Sequence, residues 1–207
     1  STITPLSKIQ KILGLIDRSG GAANSENRIL FAQLLENIIT LQKNKKQRFA
    51  VMILDLDHFA AINEQFGRDA GTELLKCIGE RLSGILRDSD FISWTGTDTP
   101  GHKMFPVGTR TEYRATLARL GGDEFGMLLP TVAGEQQAVA VARRIIDSLG
   151  TEFYHDNQSI MLKCCIGISI YPDHGEREQE LIRNADKAMF RAKQSSGKYC
   201  IYSAKTI

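Results

Sequence analysis

Two acidic stretches carry the groups that could do chemistry. Asp55 and Asp57 close the apolar run of residues 49–54, and Asp123 and Glu124 follow the pair Gly121-Gly122. A continuous apolar run fits a central strand covered on both faces. Alternation along a strand puts Asp55 and Asp57 on one side of the backbone. If the two stretches are neighbouring strands, their carboxylates meet at one rim of a sheet. Carboxylates gathered there repel one another and call for a cation. Hard oxygen ligands select Mg²⁺ or Mn²⁺, and Mg²⁺ keeps waters and takes the rest of its shell from substrate phosphates. Two such ions could polarise a phosphoryl oxygen and activate an attacking hydroxyl. The glycines, lacking Cβ atoms, permit positive φ and let a nucleotide lie against the backbone. Taken alone, Gly-Gly-Asp is better explained by a tight hairpin with a solvated acidic pair.

The elements that must position these acids follow from periodicity. Helical spacing runs over residues 5–16, 27–42, 71–86, 135–149 and 178–194. Strands are expected at 49–54, from about Asp90 through Trp94, at 117–120 and 123–129 as a hairpin about the glycine pair, at 159–171 and at 199–203. Residues 19–25 are small and polar, hence loop. The four positive charges from Lys43 to Arg48 read as a solvated turn in preference to a phosphate-binding patch. Helices alternate with strands and one hairpin, which implies an α/β or α+β sandwich with a mixed sheet.

Composition narrows the function class. Of 207 residues, 42% are hydrophobic and 24% charged, the balance of a globular chain and not of a disordered one. Lys and Arg total 26 against 24 Asp and Glu, and a net charge of +2 is too small to imply nucleic-acid binding. No apolar run reaches membrane-spanning length, no signal peptide is visible, and the start reads as a cut boundary. Cys164 and Cys165 are adjacent and cannot form an ordinary bridge with each other. With Cys77 and Cys200 they read as buried free thiols in a reducing cytoplasm. His58, His102, His155 and His174 lie too far apart for zinc-ligand spacing.

Several separated motifs then act together. Residues 119–125 (Arg-Leu-Gly-Gly-Asp-Glu-Phe), Leu54-Asp55-Leu56-Asp57-His58-Phe59, Ile62-Asn63 and Phe66-Gly67 resemble the GGDEF family of diguanylate cyclases. Residues 166–172 and 185–193 match that family's closing segments in order and spacing. The resemblance runs from about Asn27 to about Ile201. It implies an α+β fold like the nucleotide cyclase and polymerase palm, a ferredoxin-like core with a mixed central sheet flanked by helices. It implies a homodimer in which two GTP molecules condense to cyclic di-GMP and pyrophosphate. Asp55, the Leu56 carbonyl and Asp123 would hold Mg²⁺ or Mn²⁺, with Asp123 also the catalytic acid and Glu124 supporting the metal site. Backbone amides near His58 and Phe59 would face the phosphates, with Gly121 and Gly122 alongside. Asn63 and the residue at position 72 would read guanine, and Lys193 and Lys198 would neutralise the triphosphate.

The chain departs from the family at named positions. Ala60 stands where the family commonly has a transition-state lysine, and Glu64 where its Asn-Asp pair has Asp. Thr72 replaces an aspartate, and one hydroxyl cannot take both guanine N1–H and N2–H as a carboxylate does. Lys198 follows a segment one residue longer than the family's and stands for an arginine, which keeps charge but loses the fork. The early motif Asp-x-Leu-Thr-Gly-Leu-x-Asn-Arg keeps only Asp17, a glycine and Asn27-Arg28. Arg87-Asp88-Ser89-Asp90 fits the family's product-inhibition pattern through Arg87 and Asp90; a surface ion pair is the plainer alternative. An insertion of roughly 25 residues, about 93–118, separates them from the signature. The domain reading is a connector helix and loop over 1–26 and a GGDEF domain over 27–207. The alternative to an active cyclase is a weak or silent module that binds GTP or cyclic di-GMP. A pure dimerisation module is a third reading, against which the retained acids speak. Family resemblance also implies a linked sensory or phosphodiesterase domain, a cytoplasmic location for this domain, and a longer protein that could be membrane-attached.

Overall fold

The computed structural model describes residues 24–43, 47–92, 115–195 and 198–204. The connector helix at 5–16, most of the 19–25 loop, Trp94 and the bulk of the expected insertion lie outside them. The described elements are α1 (Asn24–Gln42), β1 (Phe49–Leu56), α2 (Phe59–Phe66), α3 (Arg68–Ile92), β2 (Thr116–Arg119) and β3 (Glu124–Leu129). They continue with α4 (Glu135–Leu149), β4 (Phe153–His155), β5 (Gln158–Ile160), β6 (Cys164–Tyr171), α5 (Glu178–Gln194) and β7 (Tyr199–Ile201).

β1 is the centre of the molecule because both of its faces are apolar. Phe49, Val51 and Ile53 pack on α1 and α5 through Phe31, Leu34, Ile38 and Leu181. Ala50, Met52, Leu54 and Leu56 pack on the other layer, with Leu74, Ile78 and Leu82 of α3 and Val141 and Ile145 of α4. The five-stranded sheet runs β2-β3-β1-β6-β7. β1 is antiparallel to β3 and β6, and β7 joins β6 in parallel. The unit β1-α3-β2-β3-α4-β6 with order β2-β3-β1-β6 is the split βαβ arrangement of a ferredoxin-like core. The fold is therefore α+β with a mixed sheet between two helical layers. Alternation carries Asp55 onto the α1/α5 face, in line with Val51 and Ile53.

Several expected boundaries move. The strand expected from Asp90 is instead the end of α3, which runs on to Ile92. A short apolar pair such as Phe91-Ile92 fits a helix stripe as well as a strand, and the helix already in progress wins. The single strand expected over 159–171 is split. Gln158–Ile160 turns back on β4, through Asp156 and Asn157 at φ 46° and 61°. Asp and Asn tolerate that left-handed backbone and build a two-residue hairpin. The last strand closes at Ile201. Cys164 and Cys165 are buried as expected, but Cys77 is exposed and Cys200 half-buried; all four are free. No helix among the described residues is long and apolar enough to cross a membrane.

Candidate functional site

The acids do meet. Asp55 lies directly opposite Glu124 in the β1–β3 ladder and opposite Cys165 in the β1–β6 ladder. One step further, the Leu56 N–H donates to the Asp123 carbonyl at 3.1 Å. In an antiparallel ladder the N–H and C=O of one residue face the same neighbour, so the Leu56 carbonyl is also turned toward the Asp123 strand. Lys193, in the last turn of α5, reaches Asp55 with its Nζ 2.7 Å from Oδ1.

The charges are coupled. Burial pushes the Asp55 carboxyl up, Lys193 pulls it down, and the Asp123 and Glu124 charges push it up again; the net direction is upward. Burial works to lower the Lys193 ammonium, but the hydrogen bond it donates to Asp55 and the charges of Asp55, Asp57 and Asp123 outweigh it, and its pKa rises. The helix thus delivers one cation into a ring of three aspartates.

The signature turn is built differently from the expectation. Neither Gly121 nor Gly122 has positive φ; among described glycines only Gly67 and Gly175 do. The turn is held by Arg119 instead, whose Nε donates to the Gly121 carbonyl at 3.2 Å and whose Nη2 donates to the Gly122 carbonyl at 2.9 Å. The guanidinium draws both carbonyls inward, so the loop needs no left-handed residue. A β-carbon on Gly122 would meet nothing within 4 Å, which leaves the backbone there open to a ligand.

Two residues of α1 brace this turn from outside. Asn27 Nδ2 donates to the Arg119 carbonyl at 2.9 Å, and Arg28 forms an ion pair with Glu124. Asn27 is only 4% exposed, so its contact is shielded from water, whereas the ion pair is open on its Arg28 side, 46% exposed against 15% for Glu124. Sequence reading singled out Asn27-Arg28 only as remnants of a motif; their contacts to Arg119 and Glu124 span about 92–96 positions of chain and leave no local signal.

Asp186 lies in the closing motif, but sequence reading assigned it no role of its own. Burial first, and then the Glu124 charge, push its carboxyl up to about 6, with Arg28 acting the other way. The sign follows directly. Because the folded pKa lies above the ordinary 3.8, the folded state binds the proton more tightly, and stability falls as pH rises through that window to about 6. Asp186→Asn is therefore expected to stabilise the fold by on the order of 1 kcal/mol near pH 7, after discounting for solvent on its open side, and by little near pH 4. Denaturant titrations at the two pH values check this; equal gains at both would show that Asp186 titrates normally.

Of the residues expected to contact a nucleotide, several lie on or next to α2. His58 caps that helix with φ 57°, and its carbonyl accepts from the Ala61 and Ile62 amides. Asn63 is half-buried and abuts Gly71 of α3. Thr72 is exposed, and its hydroxyl donates to the Arg68 carbonyl at 2.9 Å, so its proton is committed and its oxygen is left as an acceptor. Ala60 lies exposed in the first turn of α2. Lys198 is exposed beside the start of β6, where its carbonyl accepts from the Ile166 amide. Arg87 and Asp90 fall on the closing turns of α3, with side chains outside the described residues.

The donor set can be tested against a hard cation. Among the described residues, no three or more His, Cys, Asp or Glu side chains close around one point. The Asp123 charge acts on Asp55, and the Leu56 carbonyl faces the Asp123 strand, so the oxygen donors on offer are two carboxylates and one main-chain carbonyl. That open set suits Mg²⁺ or Mn²⁺, which keep waters and accept substrate phosphates; a closed zinc site would need more protein ligands.

The sequence profile of the family described as "Diguanylate cyclase, GGDEF domain" matches residues 23–99 and 108–198. The chain belongs to the GGDEF domain family. Relatives of this GGDEF domain in Pseudomonas aeruginosa include the cyclic di-GMP phosphodiesterase NbdA, 31% identical over 79% of this chain and 17% of that protein. The bifunctional diguanylate cyclase/cyclic di-GMP phosphodiesterase MucR is 31% identical over 86% of this chain and 22% of its own length. The diguanylate cyclase TpbB is 30% identical over 82% and 34%. This GGDEF domain thus spans about a third or less of those proteins. The crystal structure of the TpbB GGDEF domain matches with a TM-score of 0.70 at 28% identity, covering 86% of this chain and 96% of that one. An EAL/GGDEF domain protein from M. capsulatus matches with a TM-score of 0.62 at 30% identity, covering 86% and 99%.

Proposed function

We propose that this chain is a diguanylate cyclase domain, condensing two GTP molecules into cyclic di-GMP and two pyrophosphates. The observation that carries the reading is the meeting of Asp55 and Asp123 at one sheet rim beneath Lys193.

The roles follow from position. Asp55, the Leu56 carbonyl and Asp123 would hold Mg²⁺ or Mn²⁺, which when bound supplies Lewis-acid polarisation of the phosphoryl group. Lys193, together with Lys198, offsets the charge of the triphosphate. The amides near His58 and Phe59 and the open backbone of Gly121-Gly122 border the phosphates. Asn63 and Thr72 read guanine. Glu124, held by Arg28, supports the acidic rim. The ribose 3′-hydroxyl of one GTP attacks the α-phosphorus of the other; a P–O bond forms, the bond from the α-phosphorus to the bridging oxygen breaks, pyrophosphate leaves, and the hydroxyl proton passes to Asp123. The reciprocal attack closes the ring and releases the second pyrophosphate. Each copy of the chain holds one GTP, so a facing pair is required, and its formation sets the effective concentration of the nucleophile.

A second reading, a GTP-binding module with little turnover, is favoured by Ala60, which puts no cation at the start of α2, and by Thr72. Incubation of the purified chain with GTP and Mg²⁺ or Mn²⁺, with products read by mass spectrometry, separates the two. Cyclic di-GMP supports the enzyme, bound GTP without product supports the module, and absence of GTP binding sinks both. The combined change Ala60→Lys with Thr72→Asp is expected to raise turnover about tenfold, the scale of one added charge-assisted contact in the transition state. An unchanged rate would show that those positions do not limit it.

The wider setting belongs to the same proposal. The domain works in the cytoplasm, joined to a sensory or phosphodiesterase domain in a longer protein. Arg87 and Asp90 bind the product for feedback. Arg87→Ala should then weaken cyclic di-GMP binding, and unaltered binding would place the product elsewhere.

A further inference from the structure

Gly71 sits in the first turn of α3, where its backbone gives no reason for glycine. Its φ is not in the left-handed region, and alanine is the better helix former. The reason is space. A β-carbon on Gly71 would lie 1.7 Å from Asn63 Oδ1, 2.9 Å from Asn63 Cγ and 3.3 Å from Phe59 Cζ. The Asn63 carboxamide therefore occupies the volume that any side chain at position 71 would fill. The Phe59 ring borders the same volume, and Thr72 is the next residue along α3.

We propose that Gly71 is a positioning residue for base selection: the missing side chain is the seat that holds the Asn63 carboxamide in its reading orientation. The inference rests on the reading of Asn63 and Thr72 as the guanine site. A carboxamide presents an acceptor on one side and donors on the other. Guanine and adenine present opposite donor and acceptor patterns at their pairing edges, so an amide turned out of place loses the distinction. A methyl at position 71 overlaps the end of the Asn63 side chain and touches the Phe59 ring more lightly, with no main-chain atom among its three nearest neighbours. Asn63 can therefore rotate away while the helices keep their packing.

The test uses non-hydrolysable GTP and ATP analogues with Mg²⁺, titrated by calorimetry into the wild-type chain, Gly71→Ala, Asn63→Ala and the double variant. Gly71→Ala is expected to lose about tenfold of the preference for GTP over ATP, the scale of one hydrogen bond, with an unchanged or raised Tm. The double variant should discriminate no worse than Asn63→Ala alone. A purely structural role predicts retained preference, and that result overturns the inference while leaving the guanine site standing. A wild-type chain that binds GTP and ATP equally overturns the guanine reading and the inference with it. If Gly71→Ala does not fold, the double variant should fold, because the clashing carboxamide is gone; a double variant that stays unfolded also overturns the proposal.

Discussion

Asp123→Asn should abolish cyclic di-GMP formation, by about a hundredfold or more, and leave the fold intact. The carboxylate stands at the end of the signature turn, one residue before β3, and its main-chain carbonyl already accepts from the Leu56 amide. The amide variant keeps that main-chain bond and the side chain's shape. It removes one of the two carboxylates of the proposed cation site. A neutral amide is a poorer ligand for a hard cation and cannot take a proton from an attacking hydroxyl. Asp123→Asn also removes one negative charge from the ring around Lys193 and Asp55, so repulsion in that ring falls. The expected pattern is a lost rate with equal or slightly higher thermal stability. Mass spectrometry of the products together with thermal unfolding checks both halves. A variant that still forms cyclic di-GMP at the wild-type rate would remove Asp123 from the chemistry.

Gly167→Ala should cost about 3 kcal/mol of stability and lower Tm by roughly 10 °C. Gly167 lies in the middle of β6, paired with Ile53 on one side and Cys200 on the other. A β-carbon there would sit 2.0 Å from the Ala185 carbonyl oxygen and 2.3 Å from the Met189 amide nitrogen of α5. Those are main-chain atoms, so no side chain can swing aside, and the helix itself must lift. The same helix carries Lys193 to Asp55, so the displacement should also weaken that contact and GTP binding with it. Circular dichroism melts measure the first effect and calorimetric GTP titration the second. A Tm within about 2 °C of wild type would mean that α5 does not seat on Gly167.

Gly167 and Gly71 also mark what a linear sequence conceals. Each is an unremarkable glycine within a strand or helix until a second element, distant or adjacent, is laid against it. Arg28 is similar: nothing local distinguishes it from other exposed arginines, and only its contact with Glu124 gives it a place in the site. Asp156-Asn157 teaches the opposite lesson. Their side chains favour the left-handed turn, and the hairpin was legible in the residue types although the long apolar reading of 159–171 obscured it.

By itself the sequence determined the central strand, the helices at 135–149 and 178–194, and which acids would stand at the strand ends, because burial on two faces and a 3.6-residue period are written in residue order. Tertiary structure alone decided that β1 and β3 are neighbours with Asp55 beside Glu124, that Lys193 closes on Asp55, and that Arg119 rather than glycine flexibility shapes the signature turn. The strand pairing and the Lys193 contact join residues tens to more than a hundred positions apart, and the Arg119 bonds, though local, turn on one side-chain rotamer; periodicity encodes neither.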